Sequence, residues 1–129
     1  MDTAKVTPIR IMVVEDEPTL SHSYSRFLEL EGYEVTSAKN GAEALDMLTE
    51  NAPDLILLDL GMPVLDGVGF LEKADLANAH PETKVIVFSN SDDDDRIDKS
   101  FELGASRYLL KAMLAPKELA RILKEELAQ

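Results

Sequence analysis

Two rhythms of apolar and polar positions recur along this chain. Ile11-Met12-Val13-Val14, Leu55-Ile56-Leu57-Leu58 and Val85-Ile86-Val87-Phe88 are unbroken apolar runs, as expected of strands covered on both faces. Between such runs, apolar residues return every three or four positions: Leu20, Tyr24, Phe27 and Leu28 form one helical stripe, and Leu119, Ile122, Leu123 and Leu127 another. The spacing predicts strands near 9–14, 33–38, 54–59, 84–89 and 106–110. Helices are predicted near 18–31, 41–51, 66–78, 92–103 and 116–128. Pro18 and Pro116 suit first helical positions, where a missing N–H costs nothing, and Gly32 and Gly104 suit helix ends.

Strict alternation of strand and helix implies βα units, a parallel sheet and helices on both faces. Tyr33-Glu34-Val35-Thr36 alternates as a half-exposed edge strand does, which sends the second strand outward and, with it, the fifth. The order 2-1-3-4-5 with right-handed crossovers satisfies this: an α/β, doubly wound, five-stranded parallel sheet of the flavodoxin-like kind. In that order strands one and three meet at the topological switch point, where ligands bind beyond the carboxyl ends.

The 129 residues fit one domain, expected to span 1–129 with its core at about 9–128 and no output domain. Cysteine is absent, so disulfides and thiolate chemistry are excluded. No apolar run approaches the roughly 18 residues of a membrane span, and Met1-Asp2-Thr3-Ala4-Lys5 has no signal-peptide core, so a cytoplasmic location is expected. A net charge of -12 argues against direct contact with nucleic acid, whose phosphates need a positive surface. Asp92-Asp93-Asp94-Asp95 reads as the acidic first turn of a helix, with Ser91 as its expected N-cap; the sharper alternative is a run that repels anionic phosphodonors or tunes a partner surface.

The polar residues at the strand ends carry the chemistry. The first run gives way to Glu15-Asp16, the third strand ends at Asp59, the fourth at Ser89, and Tyr108-Leu109-Leu110 leads into Lys111. Parallel strands bring these ends to one edge, so three carboxylates, a hydroxyl and an ammonium converge. Mg²⁺ takes oxygen ligands, and one or two carboxylates plus a phosphate suffice to hold it. Carboxylates crowded together repel by up to roughly 4 kcal/mol per pair at 4 Å, so a cation would relieve the site. Asp59 is the best candidate nucleophile toward a phosphoryl group, giving an acyl phosphate. Gly61 could let a backbone carbonyl turn toward the metal, Lys111 can balance phosphoryl charge, and Ser89 can donate a hydrogen bond.

Together these residues resemble the receiver domain of bacterial two-component response regulators, from about Ile9 to Leu127. The matching pieces are Val13-Val14-Glu15-Asp16-Glu17-Pro18, then Asp54-Leu55-Ile56-Leu57-Leu58-Asp59 through Met62-Pro63 to Asp66-Gly67, then Ser89, Gly104-Ala105 and Tyr108-Leu109-Leu110-Lys111. The resemblance implies a Mg²⁺-dependent transfer of a phosphoryl group to Asp59 from a histidine kinase, a phosphotransfer protein or a small phosphodonor. It implies that Asp16 binds the metal directly, Glu15 mainly through water, and Gly61 through its carbonyl. It further implies that Ser89 and Tyr108 relay the modification to the surface of the fourth helix, fifth strand and fifth helix. There a downstream effector protein, or a second copy in a transient dimer, would bind.

One position departs from the pattern: the family usually has proline after the lysine, often with a cis bond, and here Ala112 follows Lys111. A cis bond without proline costs about 2.5–4 kcal/mol, so the Lys111-Ala112 link is expected to be either trans or held cis at that cost. Three other readings are weaker. A haloacid-dehalogenase-type phosphatase wants a second acid where Gly61 stands, and a dinucleotide-binding domain wants a Gly-rich turn where Glu15-Asp16-Glu17-Pro18 stands. A receiver that only docks partners would not need the full reactive set. The expectation is therefore a phosphoacceptor and not a turnover enzyme.

Overall fold

A computed structural model describes residues 7–129, so the start Met1-Asp2-Thr3-Ala4-Lys5 lies outside the described residues. Five parallel strands, β1 (Arg10–Val14), β2 (Glu34–Ala38), β3 (Leu55–Leu58), β4 (Lys84–Ser89) and β5 (Arg107–Leu110), form one sheet in the order β2-β1-β3-β4-β5. Five helices flank it: α1 (Pro18–Leu30), α2 (Gly41–Glu50), α3 (Gly67–Ala74), α4 (Asp94–Glu102) and α5 (Pro116–Leu127). Single turns at Leu76–Ala79 and Lys111–Met113 complete the helical content of the described residues.

The apolar runs behave as strands with two covered faces. Met12, Val14, Ile56, Leu58, Val85 and Val87 enter one core, under α2, α3 and α4. Their neighbours Ile11, Val13, Leu55, Leu57, Ile86 and Phe88 enter the other, under α1 and α5. Because side chains alternate along a strand, such runs fill two cores at once, which places these three strands in the centre. The edge strand β2 keeps Glu34, Thr36 and Ser37 exposed.

Helix ends follow their local chemistry. Gly32 and Gly104 adopt φ of 100° and 112° and close α1 and α4. After each, the chain folds back in the same way: Gly32 N–H reaches Glu29 O and Tyr33 N–H reaches Leu28 O, while Gly104 N–H reaches Phe101 O and Ala105 N–H reaches Ser100 O. These bonds satisfy the last free carbonyls of both helices.

Two expectations are corrected. The helix expected over 66–78 breaks at Asp75, which turns left-handed at φ 46° and accepts two hydrogen bonds from the Asn78 amide. The break buries Leu76, which lies five residues after Leu71 and would face away from the core in an uninterrupted helix. The fourth helix is capped by Asp93, whose Oδ1 accepts from Asp95 and Arg96 N–H, and not by Ser91. Asp94 and Asp95 occupy its first turn, in keeping with the helix dipole. No helix among the described residues is long and apolar enough to cross a membrane.

Candidate functional site

The register of the central strands places the acids. Val14 pairs with Leu58, and Asp59 N–H donates to Val14 O at 3.1 Å, so Glu15 and Asp59 leave adjacent strands side by side. Asp16 follows into the β1–α1 loop. Carboxylate oxygens of Glu15, Asp16 and Asp59 lie within 4.8 Å of one another, with Glu15 5 % and Asp59 8 % exposed and Asp16 open to solvent. This donor set is all hard oxygen with one member facing water, which suits a cation that keeps part of its hydration shell.

Asp59 is held from both sides. The Ser89 hydroxyl donates to its Oδ1 at 2.6 Å, and Gly61 N–H reaches the same oxygen at 3.3 Å. Its Oδ2 accepts from Lys111 Nζ at 3.3 Å, and the same ammonium is hydrogen-bonded to Glu15 Oε1. Ser89 is 1 % exposed, and its Oγ also accepts from Leu60 N–H at 3.4 Å and Ser91 N–H at 3.2 Å, which fixes the hydroxyl's aim. Lys111 crosses the Phe88 ring, its Nζ 5.9 Å from the centroid, and Phe88 in turn meets Tyr24 edge-on. Burial disfavours the charged ammonium, but the Glu15 hydrogen bond and the charges of Asp59 and Glu15 outweigh that and hold the Lys111 pKa above its ordinary value. The expected repulsion among the acids is thus already offset for two of the three.

Tyr108 lies half-buried on β5 against the core, and its hydroxyl donates to Ser91 O at 2.6 Å. Ser91 thereby joins the tyrosine to Ser89 and, through it, to Asp59. The peptide bonds of the described residues are all trans, including Lys111-Ala112, and Lys111 reaches Asp59 in that form.

Gly61 lies outside the left-handed region, and a Cβ there would meet nothing within 4 Å. Gly67 is the constrained one: a Cβ would sit 2.5 Å from Asp59 O and 2.8 Å from Leu60 Cα. The N-terminus of α3 therefore packs directly under the Asp59 backbone.

Sequence reasoning passed over Arg96 and Asn90. The Arg96 guanidinium donates to Leu60 O and to Asp66 Oδ2 at 3.0 Å, tying α4 to the loop that follows Asp59. Neither residue lies at the end of an apolar run, and nothing in the pattern marks them. A cleft of about 380 Å³ opens beside Glu15 and Asp16, bordered by His22, Ser25, Lys39 and Glu43.

Comparison with known proteins agrees with the geometry. The family model of the response regulator receiver domain matches residues 11–124. The transcriptional regulatory protein PrrA of Mycobacterium tuberculosis is 42% identical over 123 residues, covering 95% of this chain and 51% of its own length. A probable transcriptional regulator, ycf27, of Porphyridium aerugineum is 39% identical over 114 residues, covering 88% of this chain and 46% of its own. The chain therefore spans about half the length of these relatives. Among solved structures, a CheY-like receiver domain protein from Methanospirillum hungatei superposes with a TM-score of 0.88 at 30% identity, covering 95% of both chains. The receiver domain of NarL from Mycobacterium tuberculosis gives 0.79 at 27% identity, covering 94% of this chain and 97% of its own.

Proposed function

Since the chain belongs to the response regulator receiver family, whose members are phosphoacceptors and not turnover enzymes, we propose that it accepts a phosphoryl group on Asp59 and signals through the α4, β5 and α5 surface. The observation that carries this reading is the grip on Asp59: one carboxylate oxygen on a buried hydroxyl, the other on a buried ammonium, beside two further acids. Glu15, Asp16 and Asp59, with the Gly61 carbonyl, would hold Mg²⁺, which supplies charge neutralisation for phosphoryl oxygens.

In the reaction an Asp59 oxygen forms a bond to phosphorus as the donor's bond to phosphorus breaks, and the leaving group departs with that electron pair. Lys111 stays in place as a point charge for a phosphoryl oxygen, and the Ser89 hydroxyl turns its hydrogen bond from Oδ1 to the transferred group. Both already touch the Asp59 carboxylate, so only the hydroxyl has to reorient for transfer. Because Ser91 links Ser89 to Tyr108, a shift of the hydroxyl is felt at β5, where local charge biases a two-state surface. A sensor histidine kinase or phosphotransfer protein would supply the group and an effector protein would read the surface. Residues 1–129 would act as one receiver unit.

Mass spectrometry after incubation with acetyl phosphate and Mg²⁺ tests the assignment. A single phosphate adduct on the wild type, missing from Asp59→Asn, is the expected result; an adduct of equal yield on the variant would place the acceptor elsewhere.

A further inference from the structure

The β4/β5 ladder ends at the pair Ser89 and Leu110, and beyond it a side chain takes over: Ala112 N–H donates to Asn90 Oδ1 at 2.8 Å. Asn90 follows Ser89, and Ala112 follows Lys111. One bond thus joins the two backbone segments from which the hydroxyl on Asp59 Oδ1 and the ammonium on Asp59 Oδ2 extend. Ala112 lies in the single turn Lys111–Met113, whose preceding residue offers no side-chain cap, so its N–H is one of the orphan donors of a helix start. The donor exists because residue 112 carries an N–H, which a proline would lack.

We propose that Asn90 is a positioning residue for Lys111, an inference that rests on Asp59 being the phosphoacceptor. A lysine side chain is a flexible stem bearing a point charge, and its aim depends on where its backbone is anchored. The two carboxylates hold the tip of Lys111, whereas Asn90 holds its root. When the charge of Asp59 passes into an acyl phosphate, one of the tip contacts must be remade, and the anchored root keeps the ammonium within reach. With the Lys111-Ala112 link trans in this structure, the anchor beside Lys111 is the Asn90 side-chain amide.

The test is a cycle of Asn90→Ala and Lys111→Ala, read as the rate of Asp59 phosphorylation by acetyl phosphate with Mg²⁺, together with amide hydrogen exchange at Ala112. Asn90→Ala is expected to slow phosphorylation about fivefold, the rate equivalent of the roughly 1 kcal/mol of one hydrogen bond. It should also speed exchange at Ala112, while Asn90→Asp, which keeps an Oδ acceptor, retains the protection. In the Lys111→Ala background the same change should cost nothing more. A wild-type rate in Asn90→Ala, or an equal fivefold loss without Lys111, overturns the proposal. Should the wild-type protein take up no phosphoryl group, it is the acceptor assignment that fails; the positioning claim is then decided by the Lys111 side-chain NMR resonances, which must move in Asn90→Ala and overturn it if they do not.

Discussion

Val64 carries a β-branched side chain at φ 69°, 82 % exposed, with Leu65 N–H donating to Pro63 O at 2.7 Å across it. This is a γ-turn of the strained hand, and a β-branched residue is poorly suited to it. Such strain costs about 1–3 kcal/mol, against roughly 0.5–1 kcal/mol for the extra chain entropy of glycine. Val64→Gly should therefore stabilise the protein by about 1 kcal/mol and raise the melting temperature by roughly 4 °C; a lower melting temperature would show that the turn is unstrained. Gly61 and Gly67, both after Asp59 in the chain, are in opposite circumstances, the first with open space around it and the second pressed on the Asp59 carbonyl. In sequence the two glycines look alike, since only the position of α3 distinguishes them.

At the scale of elements, α5 is fastened to the sheet through charge. Glu126, nearly buried, accepts from Arg107 Nε on β5 at 2.9 Å, and Lys84 on β4 donates to Glu126 O at 2.7 Å. Burial pushes the Glu126 pKa up, but the Arg107 hydrogen bond, the nearby Ser106 hydroxyl and the charges of Arg107 and Lys84 outweigh it, and the net shift is downward. A carboxylate whose pKa is depressed on folding adds stability above its unfolded value, near 4.5, and loses it as pH falls through the folded value. Glu126→Gln should cost about 1.5 kcal/mol in urea unfolding at pH 7, and the gap to wild type should shrink as pH drops below that value. A gap independent of pH would mean that charge plays no part. On the opposite face, Arg96 of α4 grips Leu60 O and Asp66, which ties the helix to the loop after Asp59. The Asp75 break shows how packing overrides local preference: 66–78 suits one helix, but burying Leu76 requires two.

For the whole molecule, folding gathers three carboxylates at one edge, and Lys111 offsets the charge of Glu15 and Asp59 while Asp16 remains in solvent. A cation bound by the folded state alone stabilises it by mass action. At ten times its dissociation constant, Mg²⁺ should add about 1.4 kcal/mol and raise the melting temperature by roughly 5 °C over an EDTA control. Identical melts in the two conditions would count against the acids as a metal site.

Most of the fold was legible because two-faced strands must be apolar at every position and edge strands need not be, so the pattern of runs carried both strand identity and strand order. The candidate site was legible for the same reason, since parallel strands deliver their carboxyl ends to one edge and the polar residue after each run is thereby placed. What sequence could not supply was partnership. Lys111 meets Glu15 across 96 positions, Arg96 meets Leu60 across 36, and Asn90 meets Ala112 across 22. These contacts depend on loop paths and side-chain rotamers that no periodicity encodes. The amino-acid order by itself decided which residues reach the edge; only the packed chain decided which oxygen of Asp59 faces the hydroxyl, which faces the ammonium, and what anchors each of them.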